Sequence, residues 1–168
     1  AISYDGPAAR VEITRKQIID PARARPAPVE QRVDQFVAAS HAWNMSTAAT
    51  PAPQAQPAAV DERLMEVWAT PHGFLKAALA NNAAEKAIDG GGSEVSFAVG
   101  NTKFVGVING QNEVARVQSW INSPVTGDTP VAFVYSDYRD FEGVRFPARI
   151  VRTQGGHPVL EIDVASVT

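Results

Sequence analysis

The sequence contains no cysteine, which removes disulfide staples, thiolate zinc sites and cysteine nucleophiles together. It contains no apolar run near the roughly 18 residues that a membrane-spanning helix needs, so no membrane span is expected. The opening residues Ala1-Ile2-Ser3-Tyr4 carry neither the basic stretch nor the apolar stretch of a signal peptide, as expected of a mature chain or an excised piece. Charge of one sign is also scarce. Lys and Arg total 15 against 18 Asp and Glu, a net charge of -3, so the basic surface that grips a polyanion is missing and no nucleic-acid partner is expected. The three histidines, His41, His72 and His157, stand far apart and none has the spacing of a His-Glu-x-x-His ligand pair. No Gly-x-Ser-x-Gly elbow occurs. Gly90-Gly91-Gly92-Ser93 lacks the Lys and Ser/Thr that follow the glycines of a phosphate loop, and it connects two apparent strands, so it reads as a turn.

What is present is enough apolar content for one core. With 168 residues and 45% hydrophobic side chains, residues 1–168 read as a single domain. Residues 8–15 alternate with a period of two around Val11 and Ile13, and a strand is expected. Residues 20–28 hold Pro21, Pro26 and Pro28, which deny backbone donors and mark a loop. Residues 31–44 resume a strand pattern, with Val33, Gln35 and Val37 on one face and Phe36 and Ala38 on the other, reaching Trp43. Residues 47–59 hold only Ala, Pro, Thr and Gln, with no large apolar group to offset the entropy of ordering, and a mobile surface loop is expected.

The period then changes. Leu64, Val67, Trp68, Leu75, Ala78 and Leu79 recur at helical spacings along one stripe. Pro71 interrupts that stripe, but Thr70 suits an N-cap and proline suits the first helical position, so two short helices meeting near Thr70 are predicted, the second ending at Asn81-Asn82. From residue 83 onward, turn signals such as Gly100-Asn101, Asn109-Gly110, Thr126-Gly127-Asp128 and Gln154-Gly155-Gly156 separate alternating runs. These runs centre on Val95-Phe97-Val99, Val105-Val107, Ala115-Val117-Ile121, Val131-Phe133-Tyr135, Val144-Phe146-Ala148-Ile150 and Leu160-Ile162-Val164, and short connections imply an antiparallel meander. The fold class is therefore α+β. One strongly curved antiparallel sheet, joined by the strands near 8–15 and 31–44, is expected to wrap the helical insert as an incomplete barrel.

Few residues offer chemistry. The densest polar segment, Tyr135 to Gly143, holds Asp137 and Asp140, which an enclosed site would tune for proton transfer, or which a turn would use with Arg139 as their ion-pair partner. The aromatic residues are core filler in the plain reading. In the sharper one, the helix bearing Phe74 and Leu75 and the sheet face bearing Phe97, Phe133 and Phe146 line an apolar groove, because a helical stripe rich in Ala77, Ala78 and Ala80 is too narrow to fill a wide curved sheet. An apolar small molecule or acyl chain is the partner this groove would take.

Four stretches carry a resemblance: Thr70-Pro71-His72-Gly73-Phe74-Leu75-Lys76-Ala77-Ala78, Tyr135-Ser136-Asp137-Tyr138-Arg139-Asp140-Phe141, Phe146-Pro147-Ala148-Arg149-Ile150-Val151 and Gln154-Gly155-Gly156-His157-Pro158-Val159-Leu160. Together they are similar to the N-terminal region of large secreted bacterial proteins whose C-terminal part is a metallo-β-lactamase-fold hydrolase. Tyr4-Asp5 with the run from Arg10 to Arg15 resembles the start of the same region, so the likeness covers most of the chain. More distantly, the order of a Trp-ending strand, a helical insert, several strands and a Phe-Pro strand resembles the incomplete β-barrel of periplasmic lipoprotein carriers. The hydrolase part of such proteins carries a His-x-His-x-Asp-His metal motif that nothing here matches, so the resemblance carries over no catalytic residue, metal or cofactor. It implies a non-catalytic accessory or binding domain, a C-terminal hydrolase domain as its partner, and a periplasmic or secreted location in a bacterium. The competing expectation is a small standalone enzyme using Asp137 and Asp140 in a sheet cavity.

The dispersed histidines give a direct test. Incubation with zinc, desalting and elemental analysis are expected to leave no stoichiometric metal on the chain. Retained zinc that is lost on His72→Ala or His157→Ala would contradict this.

Overall fold

Alternation with a period of two, cut by tight turns, produces hairpins, and antiparallel strands make up more than half of the described residues. The structure, a computed structural model, describes residues 1–16, 30–46, 50–123 and 127–168. The loop expected over 20–28, residues 47–49 and Thr126 of the expected turn lie outside the described residues. The chain divides into two compact units, Ala1–Val67 and Trp68–Thr168. Among the described residues the strands form two sheets, neither closed into a barrel, so the strands near 8–15 and 31–44 do not join the later sheet as expected but build their own.

The first unit is a five-stranded meander of β1 (Ile2–Ser3), β2 (Ala8–Arg15), β3 (Gln31–Ala38), β4 (His41–Met45) and β5 (Pro53–Ala55). The single strand expected over 31–44 is instead the β3–β4 hairpin. Its turn passes through Ala39 at φ 49°, a left-handed alanine that no Gly or Asn announces in the sequence. Likewise, part of the segment expected to be a loop pairs with β4 as β5, and Pro57–Ala59 form a 3-10 turn leading into α1 (Val60–Ala69). Val37, Ala42 and Val67 form a buried cluster with Ala9, Val60 and Leu64 against it. Arg63 of α1 fixes the helix to the sheet. It donates to the Phe36 and Trp43 carbonyls at 2.9 and 3.0 Å and to Asn44 Oδ1 at 2.7 Å.

The second unit pairs β6 (Ala84–Ala87), β7 (Gly92–Val99), β8 (Thr102–Asn109), β9 (Val114–Ser123), β10 (Gly127–Phe141), β11 (Val144–Gln154) and β12 (His157–Asp163) in sequence order. The later runs fall within these strands except for Val164, which lies just past the end of β12, whereas β6, an Ala-Glu-Lys-Ala segment poor in strand formers, had no pattern to reveal it. The helix prediction holds in detail: Thr70 Oγ1 accepts from the Gly73 amide at 3.3 Å, Pro71 opens α2 (Pro71–Ala80), and Asn81 caps its end. The expected stripe does not continue through α2. Leu79 is 89% exposed and Leu75 is also on the solvent side, while Gly73, Phe74, Ala77 and Ala78 are buried. Pro71 starts a new helix, so the phase set by α1 is lost there.

Phe74 is fully buried and its ring lies flat on Gly106 in β8. A Cβ built at Gly106 would come within 2.3 Å of Phe74 Cζ, so only glycine allows this approach. Gly106→Ala is therefore expected to destabilise the unit by about 1–3 kcal/mol, as overpacked cores do. Denaturant unfolding measures this, and Phe74→Leu in the same background should recover part of the loss, which a cost arising from backbone propensity alone would not allow.

Candidate functional site

Strand register decides which side chains share the face under α2. One row crosses the whole sheet as Glu85, Val95, Gly106, Val117, Phe133, Arg152 and Leu160, and Gly106 under Phe74 marks it as the helix side. Phe97 and Phe104 form the adjacent pair, and Tyr135, Ile150 and Ile162 the row on the other side. Phe146 and Ala148 follow in alternation along β11.

The proposed groove residues divide between three environments. Phe74 and Phe97 are buried against each other with ring centroids 5.1 Å apart, and Phe97 stacks on Phe104 at 5.3 Å, so the β7–β8 end of the face is a packed aromatic core. Phe133 and Phe146 are half-buried further along: the Arg152 guanidinium lies over the Phe133 ring at 5.8 Å, and His72 meets Phe146 at 5.6 Å. Leu75 is not brought to this face at all and lies beside Leu79 on the outer side of α2. Tyr135 completes the arrangement by donating its hydroxyl to the Ala69 carbonyl at 2.5 Å. Sequence reasoning missed Phe104, Gly106 and Tyr135 as the residues that seat the helices. A lone glycine inside a strand pattern, as in Phe104-Val105-Gly106-Val107, was the available signal.

Of the two acidic candidates, Asp140 has a structural task. Asp140 Oδ1 accepts the Gly143 amide at 2.8 Å and so holds the Glu142-Gly143 turn, whose residues have φ of 54° and 93°. Asp137 and Asp140 are both exposed. Arg139 lies over the Phe141 ring at 5.7 Å instead of bridging the acids as the turn reading expected. Among the described residues no group of three His, Asp or Glu side chains gathers to hold a metal, and no helix is long and apolar enough to cross a membrane.

A polar cluster that the sequence did not reveal ties the β8–β9 and β10–β11 turns together. Arg145 donates to Glu113 Oε1 from Nε at 3.1 Å and from Nη2 at 2.6 Å, Asn109 supports the same carboxylate, and Tyr138 donates to the Val114 carbonyl at 2.8 Å. The hydrogen bonds from Arg145 hold the Glu113 carboxyl below its usual range. Burial first, and the Glu113 charge second, push the Tyr138 hydroxyl above its usual range. Tyr138 therefore contributes stability below the unfolded tyrosine pKa of about 10, and that contribution is lost as pH rises. Glu113 contributes above the unfolded carboxyl pKa of about 4.3 and loses its contribution as pH falls through its depressed folded value. Tyr138→Phe is expected to cost about 1 kcal/mol at neutral pH and to flatten the alkaline fall of the melting temperature, while Glu113→Gln should flatten the acid side. Thermal unfolding across pH measures both.

No protein-family model, curated protein or solved structure matches the chain, so the use of this face has to be argued from its own residues.

Proposed function

We propose that the chain is a non-catalytic binding module, the accessory domain of a larger metallo-β-lactamase-fold hydrolase exported to the periplasm or beyond, and that it holds an apolar ligand such as an acyl chain on the helix side of its larger sheet. One observation carries the reading: the face carries Val95, Phe97, Val117, Phe133 and Phe146 from β7 to β11, yet α2 lays only two rings on it, Phe74 and His72, beside Gly73, Ala77 and Ala78. A helix about 10 Å wide does not span strands spaced about 4.8 Å apart over that breadth. The half-buried Phe133 and Phe146 are what remains for a ligand to cover.

The same contacts favour the curved, incomplete-barrel form of the sheet. His72 and Phe74 are neighbours on the helix, yet one ring meets β11 and the other β7, about 19 Å apart across a flat sheet. Curvature brings both strands to one short helix.

A fatty acid or apolar dye titrated into the folded chain should saturate near one-to-one. Phe133→Ala and Phe146→Ala should each weaken binding by about tenfold or more, since each removes a ring the ligand would cover. Phe74 is unsuited to this test because it is fully buried. Absence of saturable binding to the folded chain would overturn the ligand reading. The hydrolase partner is tested by reading the gene on both sides of this segment for the His-x-His-x-Asp-His motif.

A further inference from the structure

Phe133 is half-buried, and the guanidinium of Arg152 lies over its ring at 5.8 Å. Register explains the meeting, since the two stand directly opposite on β10 and β11 and so share the helix side of the sheet. Three rows cross the last strands on this side: Val131 with Gln154; Phe133, Arg152 and Leu160; Tyr135, Ile150 and Ile162. Arg152 alone among them is charged. The acids of β12, Glu161 and Asp163, alternate to the other side, where they face Arg149 at 2.8 and 3.9 Å. Leu160 and Ile162 are 47% and 39% exposed, so the apolar surface beside Arg152 is open at the β12 edge.

On the reading that this face holds an apolar ligand, we propose that the ligand is an amphiphile with an anionic head, which pairs with Arg152 while its chain covers Phe133, Leu160 and Ile162. The reason is desolvation. A molecule that covers the Phe133 ring also covers the guanidinium lying on it, and taking a charge out of water is costly unless its donors are met. A guanidinium presents five N–H donors in a planar fork. Arg152 makes another contact besides the ring, and the fork has donors enough to serve that contact and an incoming anion together. A carboxylate or phosphate head accepts from it in parallel pairs, whereas a neutral chain sets methylenes against the charge and a cationic head is repelled. The neighbouring row, Ile150 with Ile162, carries the apolar surface along β11 in the direction of Phe146, which gives a longer chain its path.

Calorimetric titration with probes of one chain length, laurate, lauryl alcohol and laurylammonium, tests the head. Laurate is expected to bind about tenfold or more tightly than the other two, as charge-assisted hydrogen bonds allow. Arg152→Gln should remove that preference and Arg152→Lys should keep part of it, with circular dichroism checking that both variants remain folded. The comparison of heads on the wild-type chain decides even where a variant fails to fold. Leu160→Ser should weaken laurate and lauryl alcohol by the same factor, because it touches the chain and not the head. Lauryl phosphate against laurate then tells which anion the fork prefers, and either preference is that of an anionic head. Equal binding of laurate and lauryl alcohol overturns the proposal and leaves the apolar-ligand reading standing. So does a folded Arg152→Gln chain that keeps the full preference. If none of the probes saturates, both readings fall together.

Discussion

The close approach of Phe74 to Gly106 is the constraint around which the larger unit is organised. An aromatic ring laid flat on a strand backbone needs a residue with no side chain at that point, and it needs small helix residues beside the ring so that the two elements can approach. Gly73, Ala77 and Ala78 meet the second need and Gly106 the first. Once Phe74 is seated, Phe97 packs against it and Phe104 stacks on Phe97, and Thr70 with Pro71 fixes where the helix begins. Tyr135 then anchors the end of α1 from β10. The larger core follows from one ring finding one gap.

Local signals were legible wherever the chemistry is local. Thr70-Pro71 announces a helix start because capping depends on adjacent residues, and Gly155-Gly156 announces a hairpin because both positions take positive φ. The misses share a different cause. Ala39 adopts a left-handed turn with no residue type that predicts it, so a hairpin looked like one long strand. Leu75 and Leu79 were placed inward because the apolar spacing was read straight through Pro71, where a new helix begins with its own phase. The Glu113–Arg145 pair joins residues 32 apart in sequence, and no spacing rule reaches that far.

The face shared by the candidate residues was legible in the sequence, and its coverage was not. Phe74, Phe97, Phe133 and Phe146 do share one side of the sheet with α2, because alternation along strands is a strict period of two and the register carries it across neighbours. Alternation does not say how much of that face a helix covers. Coverage depends on where the helix sits, and that was settled by Gly106, a residue whose contribution lies in having no side chain. The acids Asp137 and Asp140 attracted notice by their density in sequence. Density is poor evidence of a site where the backbone turns, since a turn gathers polar residues for its own hydrogen bonds.

The same period of two that collects aromatic rings under α2 also sets Val107, Val134 and Val151 on the far side, interleaved residue by residue with the core positions. A strand such as β10 therefore carries Phe133 and Val134 facing opposite ways with one backbone between them. A sheet apolar on one face needs only a helix to cover it, whereas a face that mixes apolar and charged residues can stand in water. In this chain the far face mixes those valines with charge, since Arg116 lies between Val107 and Val134 and Glu161 stands next to Val151. Because adjacent residues on one strand serve the two faces, a substitution at Val134 is the control for one at Phe133, separating an effect on the helix-side face from a general effect on the strand.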